Sequence, residues 1–237
     1  MEDINDWEVK YENCKYADRL LTKLMQMNQE VNRPIDIKEV KKAIYYAKKY
    51  HGSQMRQSGE PYYSHPIEVA YMTSDYLFRT DIIVTSILHD TIEDTELSKS
   101  MIASIFGEQV ASQVEDLTRV KSYGKISAAE TIELLFQQKK KDILLIKLFD
   151  RLHNMQTIGA KSPEKIKKIV EETLREFVVL SIYLGMPEIK YHFIKMCFQH
   201  LTITHCPTPD LYQLFSLDNS QPLFPTFQND ADPKCIL

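Results

Sequence analysis

The stretch Ile87-Leu88-His89-Asp90-Thr91-Ile92-Glu93-Asp94-Thr95 decides how the rest of the chain is read. An imidazole stands beside a carboxylate, and two more carboxylates follow within about one helical turn. Ile82, Ile83, Val84, Ile87 and Leu88 precede them, an apolar run that predicts a buried helix ending at the charged residues. Ionisable groups at the end of a buried segment are costly unless they are paired or bound to a metal. His89 and Asp90 are neighbours, so on a helix their side chains diverge by about 100°. They meet on one ion only if further ligands come from elsewhere. The chain offers His65 in Ser64-His65-Pro66 and Asp150 in Phe149-Asp150-Arg151-Leu152-His153-Asn154.

Outward from that stretch the chain reads as helical. Residues 1–30 predict one polar-rich helix with Leu20, Leu21, Leu24 and Met25 as its apolar stripe, broken at Asn32-Arg33-Pro34. Asp36, with Glu39 three residues on, reads as an acidic capping box opening a helix that Gly52 stops. Residues 52–65 read as a polar loop, and Pro66 falls in the first turn of the next helix. Helices follow over 82–90, from Ser98 to Gly107, over 108–119, 128–138 and 142–157, from Ser162-Pro163 to Tyr183, and over 188–200, with 121–125 as a loop. There is no strand alternation, no internal repeat, and only 6 glycines. The expected fold is all-α, with a domain over 1–200, a core at about 36–190, and a C-terminal tail over 201–237 marked by prolines and scattered aromatics.

Composition narrows the function. At 43% hydrophobic and 26% charged, 237 residues suit one globular domain with a tail. A net charge of -4 argues against a general nucleic-acid coat. Cys14, Cys197, Cys206 and Cys235 are scattered without a CxxC pair, which reads as free thiols in a reducing compartment. The acidic Met-Glu-Asp-Ile-Asn-Asp start is wrong for a signal peptide, and no apolar run approaches the ~18 residues of a membrane span. The expectation is a cytoplasmic protein with no membrane and no nucleic-acid partner.

Three motifs then stand in order: His51-Gly52-Ser53-Gln54-Met55-Arg56-Gln57-Ser58-Gly59-Glu60-Pro61-Tyr62-Tyr63-Ser64-His65-Pro66, His89-Asp90-Thr91-Ile92-Glu93-Asp94-Thr95, and Lys147-Leu148-Phe149-Asp150-Arg151-Leu152-His153-Asn154-Met155. Together they resemble the hydrolase domain of the RelA/SpoT alarmone enzymes, a branch of the HD superfamily of helical, metal-dependent phosphohydrolases. The resemblance spans about residues 36 to 190. It implies an HD-type helical bundle with a metal site between helices, and it implies that His65, His89, Asp90 and Asp150 bind the ion, usually manganese(II). Two imidazoles and two carboxylates are donors of intermediate hardness, open to manganese, iron, zinc or magnesium. Taken singly, His65 could cap a helix and Asp150 could pair with Arg151.

The resemblance further implies that Glu93 and Asp94 orient and deprotonate the attacking water; the plainer alternative is an acidic helix end in solvent. It places Arg56 against a guanine ring, Ser58 near the base, and Asn154 and Thr157 near the ribose. A guanidinium suits the first role because it stacks on an aromatic face while donating hydrogen bonds. Lys147 is left between reaching a phosphate and snorkelling to solvent. His51 and His153 read as supporting or core residues.

The implied reaction is hydrolysis of the 3′-pyrophosphate of guanosine 3′,5′-bispyrophosphate, with a small guanine nucleotide as the partner. Gln57 departs from the family pattern, which commonly places a basic residue between the arginine and the serine. That missing charge keeps two other readings open: an HD phosphohydrolase for another nucleotide such as NADPH, and a non-catalytic alarmone-binding module.

Overall fold

The computed structural model describes residues 6–121 and 124–205. Helices dominate: α1 Trp7–Lys10, α2 Lys15–Met27, α3 Ile37–His51, α4 Ser64–Thr73, α5 Thr80–Leu88, α6 Thr91–Asp94, α7 Lys99–Phe106 and α8 Glu108–Leu117. A two-stranded hairpin follows, β1 Val120–Lys121 and β2 Gly124–Lys125, and then α9 Ala128–Gln137, α10 Lys141–Gln156, α11 Pro163–Glu172, α12 Val178–Tyr183 and α13 Pro187–His205. The fold is all-α apart from that hairpin. One compact unit ends at Leu201, and the expected tail lies outside the described residues save for the last turn of α13.

The centre of the unit is α5. Every residue from Ile82 to Leu88 is buried, as expected for a helix with no charged residue and few polar ones along that run. It packs against α3, α4 and α8, and α4 in turn packs against α10. The two polar residues of this buried run are both satisfied: Ser86 Oγ donates to the Ile82 carbonyl at 2.8 Å, a geometry open to serine on any helical turn, and Thr85 Oγ1 donates to Gln113 Oε1 of α8 at 2.7 Å.

Several elements differ from the sequence reading. The first helix is split at Tyr11–Cys14, where Cys14 is fully extended; Leu20, Leu21 and Leu24 are buried, but Met25 is exposed. Asp36 caps α3 through Lys38 N and Glu39 N, whereas Glu39 turns to Lys42 at 2.6 Å and does not close the box. The expected loop at 121–125 is the hairpin, with Val120 paired to Lys125. The helix from Pro163 to Tyr183 carries a π turn at Thr173–Phe177.

Candidate metal centre

Three elements bring the ionisable residues together. His65 is the second residue of α4, His89 and Asp90 occupy the break between α5 and α6, and Asp150 lies in α10. The packing of α4 on both α5 and α10 makes them converge. His65, His89 and Asp150 each offer a ligand atom within 4.8 Å of the others. His65 Nε2 is 3.2 Å and His89 Nε2 3.9 Å from Asp150 Oδ1. Asp90 turns one oxygen to each ring: Oδ2 is 3.6 Å from His65 Nε2 and Oδ1 is 3.2 Å from His89 Nε2.

The outer nitrogens fix which atoms are donors. His89 Nδ1 lies 2.7 Å from the Ser86 carbonyl, which only accepts, so this nitrogen carries the hydrogen. His89 Nε2 is then a buried atom with no hydrogen-bond partner. His65 Nδ1 is 2.8 Å from His153 Nδ1. Burial, then the charges of His65 and Arg56, push His153 down to about 3, so it is neutral and suited to accept this hydrogen. Burial also lowers His65. Two imidazole lone pairs and the Asp90 and Asp150 oxygens therefore face one another. A divalent cation fits that set of donors. Without one, a proton must serve. Burial opposes charging His89, yet the adjacent Asp90 carboxylate holds it up at about 9. Asp90 is lowered in return: burial works against its charge, but His89 outweighs it.

Asp150 is well supported. Lys147 Nζ donates to its Oδ2 at 3.1 Å and Asn154 Nδ2 to its Oδ1 at 2.6 Å. Burial opposes its ionisation, but Lys147 and the two histidines hold it well below the usual carboxylate range. Lys147 thus neither snorkels nor stands free for a phosphate; it is buried against Asp150. Asn154, one turn on, links the centre to the expected nucleotide residues. Arg56 Nη2 donates to Asn154 Oδ1 and to Thr157 Oγ1, both at 3.0 Å. Arg56 comes from a tight turn, with its own N–H on the Glu60 carbonyl at 2.8 Å and Gly59 at φ 86, a conformation glycine adopts without strain. Gln57 and Ser58 are exposed at the tip of that turn.

Glu93 and Asp94 do not share surroundings. The helix is interrupted at His89–Asp90, and α6 is only four residues long. Glu93 accepts from Arg119 Nη2 at 3.1 Å and pairs with Lys125 Nζ at 2.7 Å. Asp94 Oδ2 accepts from Tyr62 Oη at 2.6 Å, and the Asp94 carbonyl accepts from Gln54 Nε2 at 3.0 Å. Burial opposes the charge on both. For Glu93 the two cations prevail and lower it, whereas Asp94 stays raised, with Asp90 and Glu93 adding their repulsion. His51 is buried, stacked on Tyr62 at 4.7 Å, with Nδ1 2.9 Å from Gln54 Oε1.

A family model described as an HD domain matches residues 43–186. The chain belongs to the HD-domain family. The chain is 35% identical over 188 residues to the GTP pyrophosphokinase rsh of Brucella ovis, covering 77% of this chain and 24% of that protein. It is 37% identical over 178 residues to a probable guanosine-3′,5′-bis(diphosphate) 3′-pyrophosphohydrolase of Synechocystis, covering 73% and 23%. The chain thus spans about a quarter of the length of the curated relatives it matches. The solved structure of a metazoan ortholog of SpoT, described as hydrolysing ppGpp, superposes with a TM-score of 0.57 at 21% identity, over 71% of this chain and 98% of that one. The RelA/SpoT resemblance of the three motifs is borne out by these relatives.

Within the HD domain the sequence missed Tyr62, Arg119 and Lys125. Tyr62 stood inside a motif, but a tyrosine there reads equally as pocket wall. Arg119 and Lys125 lie 26 and 32 residues beyond Glu93, and only the hairpin brings them to it.

Proposed function

We propose that the chain is a metal-dependent phosphohydrolase that removes the 3′-pyrophosphate of guanosine 3′,5′-bispyrophosphate or of its 5′-triphosphate counterpart, giving pyrophosphate and GDP or GTP respectively. The observation that carries this is the convergence of two buried imidazoles and Asp150 within 4.8 Å, with Asp90 alongside, inside an HD domain whose relatives include a probable enzyme of that name. His65, His89, Asp90 and Asp150 hold a divalent ion, manganese(II) in this reading. When bound, the ion offsets phosphate charge and acidifies water at the site. The chain's own groups do the rest. His153 and the Ser86 carbonyl orient the two imidazoles, as hydrogen-bond partners of metal ligands do. Glu93 and Asp94 orient and deprotonate the attacking water, while Arg56, Ser58, Asn154 and Thr157 surround the nucleoside. The working unit is residues 1–200 with 201–237 as a tail, acting in the cytoplasm on a small guanine nucleotide without a nucleic-acid or membrane partner. Among the described residues no helix is long and apolar enough to cross a membrane.

A second reading, hydrolysis of another nucleotide such as NADPH, is favoured by Gln57, which is exposed and uncharged at the turn beside Arg56. The test is turnover of a nucleotide panel across manganese, magnesium, iron and zinc. The proposal expects pyrophosphate release from the alarmone to exceed release of phosphate from any other nucleotide by at least ~10-fold in kcat/KM. Preference for another nucleotide selects the second reading. Binding of the alarmone with no turnover under any metal would leave only a binding module.

A further inference from the structure

One carboxylate of the proposed water-activating pair is occupied from outside the motifs. Glu93 Oε1 meets both Arg119 Nη2 at 3.1 Å and Lys125 Nζ at 2.7 Å, and Oε2 accepts from the Arg119 main-chain N–H at 3.2 Å. The two cations are tied to each other through the hairpin: the Ile126 N–H donates to the Arg119 carbonyl at 2.9 Å, and Val120 pairs with Lys125. The Glu93 side chain is only 12% exposed, whereas that of Lys125 is 58% exposed. A carboxylate bound by three donors, two of them on cations, is a fixed acceptor and a weak base. Asp94 meets a single neutral side-chain donor, Tyr62 Oη; the carboxylates of Asp90 and Glu93 repel its charge, and the His51 imidazole of α3 acts on it in the opposite sense.

We propose that Arg119 and Lys125 divide the labour of the pair: they hold Glu93 as a charged acceptor that orients the attacking water, and Asp94 takes the proton. This rests on the phosphohydrolase reading above. In the step, a water O–H bond breaks and its proton passes to Asp94. The water oxygen bonds to phosphorus, and the bond from phosphorus to the ribose 3′ oxygen breaks with its electron pair on that oxygen. The proton held by Asp94 then neutralises the leaving oxygen. Arg119 and Lys125 are positioning residues. The charged groups around Glu93 are Arg119 and Lys125 from the hairpin and Asp94 beside it, with Arg119 drawn in addition toward Asp150 and Glu172.

The test has two arms. In the full chain with magnesium, carbon-13 NMR of the carboxyl carbons follows each group as pH falls. Glu93 should titrate below the ordinary glutamate value of ~4.3. Arg119→Met should raise the Glu93 midpoint by ~1 unit, the scale of losing one adjacent opposite charge. The exposed Lys125→Ala makes the same measurement if Arg119→Met does not fold. In the kinetic arm, Asp94→Asn should lower kcat by about 100-fold or more, the scale of a lost acid–base group. Glu93→Gln keeps an acceptor oxygen and should cost only ~10-fold, the scale of one weakened hydrogen bond. A Glu93 midpoint at or above the ordinary value overturns the proposal, as does a Glu93→Gln loss equal to or larger than that of Asp94→Asn. If no nucleotide is turned over at all, it is the phosphohydrolase reading that fails, and the titration still judges the clamp.

Discussion

At the scale of single residues, His89 shows how the proposed ion and a proton compete for one atom. Its Nδ1 is committed to the Ser86 carbonyl, so a proton or a metal has only Nε2 to occupy. Burial disfavours the charged ring, but Asp90 holds it at about 9 without an ion, above the ordinary ~6.5. A raised value means that the metal-free fold gains stability from the protonated ring below about 6.5 and loses it as pH rises through about 9. Metal binding must expel that proton. Isothermal titration with manganese should therefore show affinity rising about tenfold per pH unit between ~6.5 and ~9, with close to one proton released, and then levelling off. A flat affinity across that range would mean that His89 Nε2 is not a ligand. Arg56 makes a second prediction. Its guanidinium already bridges Asn154 and Thr157, and in the function proposed above it is held in place for a base remote from the reacting phosphorus. Such binding acts equally on ground and transition states and governs KM more than kcat. Arg56→Ala should raise KM by ~10-fold, equivalent to losing a ~1–2 kcal/mol contact, with kcat within about threefold of the parent. A change confined to kcat would withdraw the base-recognition role.

At the scale of elements, what was legible in the sequence is what local pattern encodes. The run Ile82–Leu88 announces a buried helix because five of its seven residues are large and apolar and the other two are the small Thr85 and Ser86, with no charged residue, and α5 is indeed the element that α3, α4 and α8 surround. Removing part of that contact tests it. Ile87 is fully buried, so Ile87→Ala should cost about 2–5 kcal/mol, the usual range for truncating a core side chain. Calorimetry should find Tm lower by ~10 °C for a domain of this size; a drop under ~2 °C would place Ile87 outside the core. The break after α5 was not legible. His89 and Asp90 keep helical backbone angles, and at the interruption the His89 ring and the Thr91 hydroxyl bond the Ser86 and Leu88 carbonyls three residues back, bonds that a helical run of the same residues also permits. It is this break that sends Glu93 to the hairpin and Asp94 to Tyr62. The hairpin was equally hidden: Val120–Lys121 and Gly124–Lys125 are too short for an alternating pattern, and Lys125 with Arg119, the residue before the first strand, stands out only because both meet Glu93.

At the scale of the whole molecule, the motifs were readable as a set but the wiring between them was not. His65, His89, Asp90 and Asp150 could be picked out because three spaced motifs agree. The pairing of Lys147 with Asp150 and of Arg56 with Asn154 emerges only once α4, α5 and α10 are packed together. The same packing makes metal binding a folding event. Ligands from three elements far apart in the chain are close only in the native state, so an ion that binds them stabilises that state and not the unfolded chain. At a free metal concentration 100 times Kd the gain is about 2.7 kcal/mol, which for a domain of this size raises Tm by ~5–10 °C. Asp150→Asn keeps an acceptor for the buried Lys147 ammonium but removes the ligand's charge. It should fold, with a lower metal-free Tm because the Lys147 ion pair is lost, and should gain no more than ~2 °C from manganese. The comparison is made by thermal denaturation of both proteins with chelator and with manganese. An equal rise in the two would place the stabilising ion away from Asp150 and detach the metal from the junction of α4, α5 and α10.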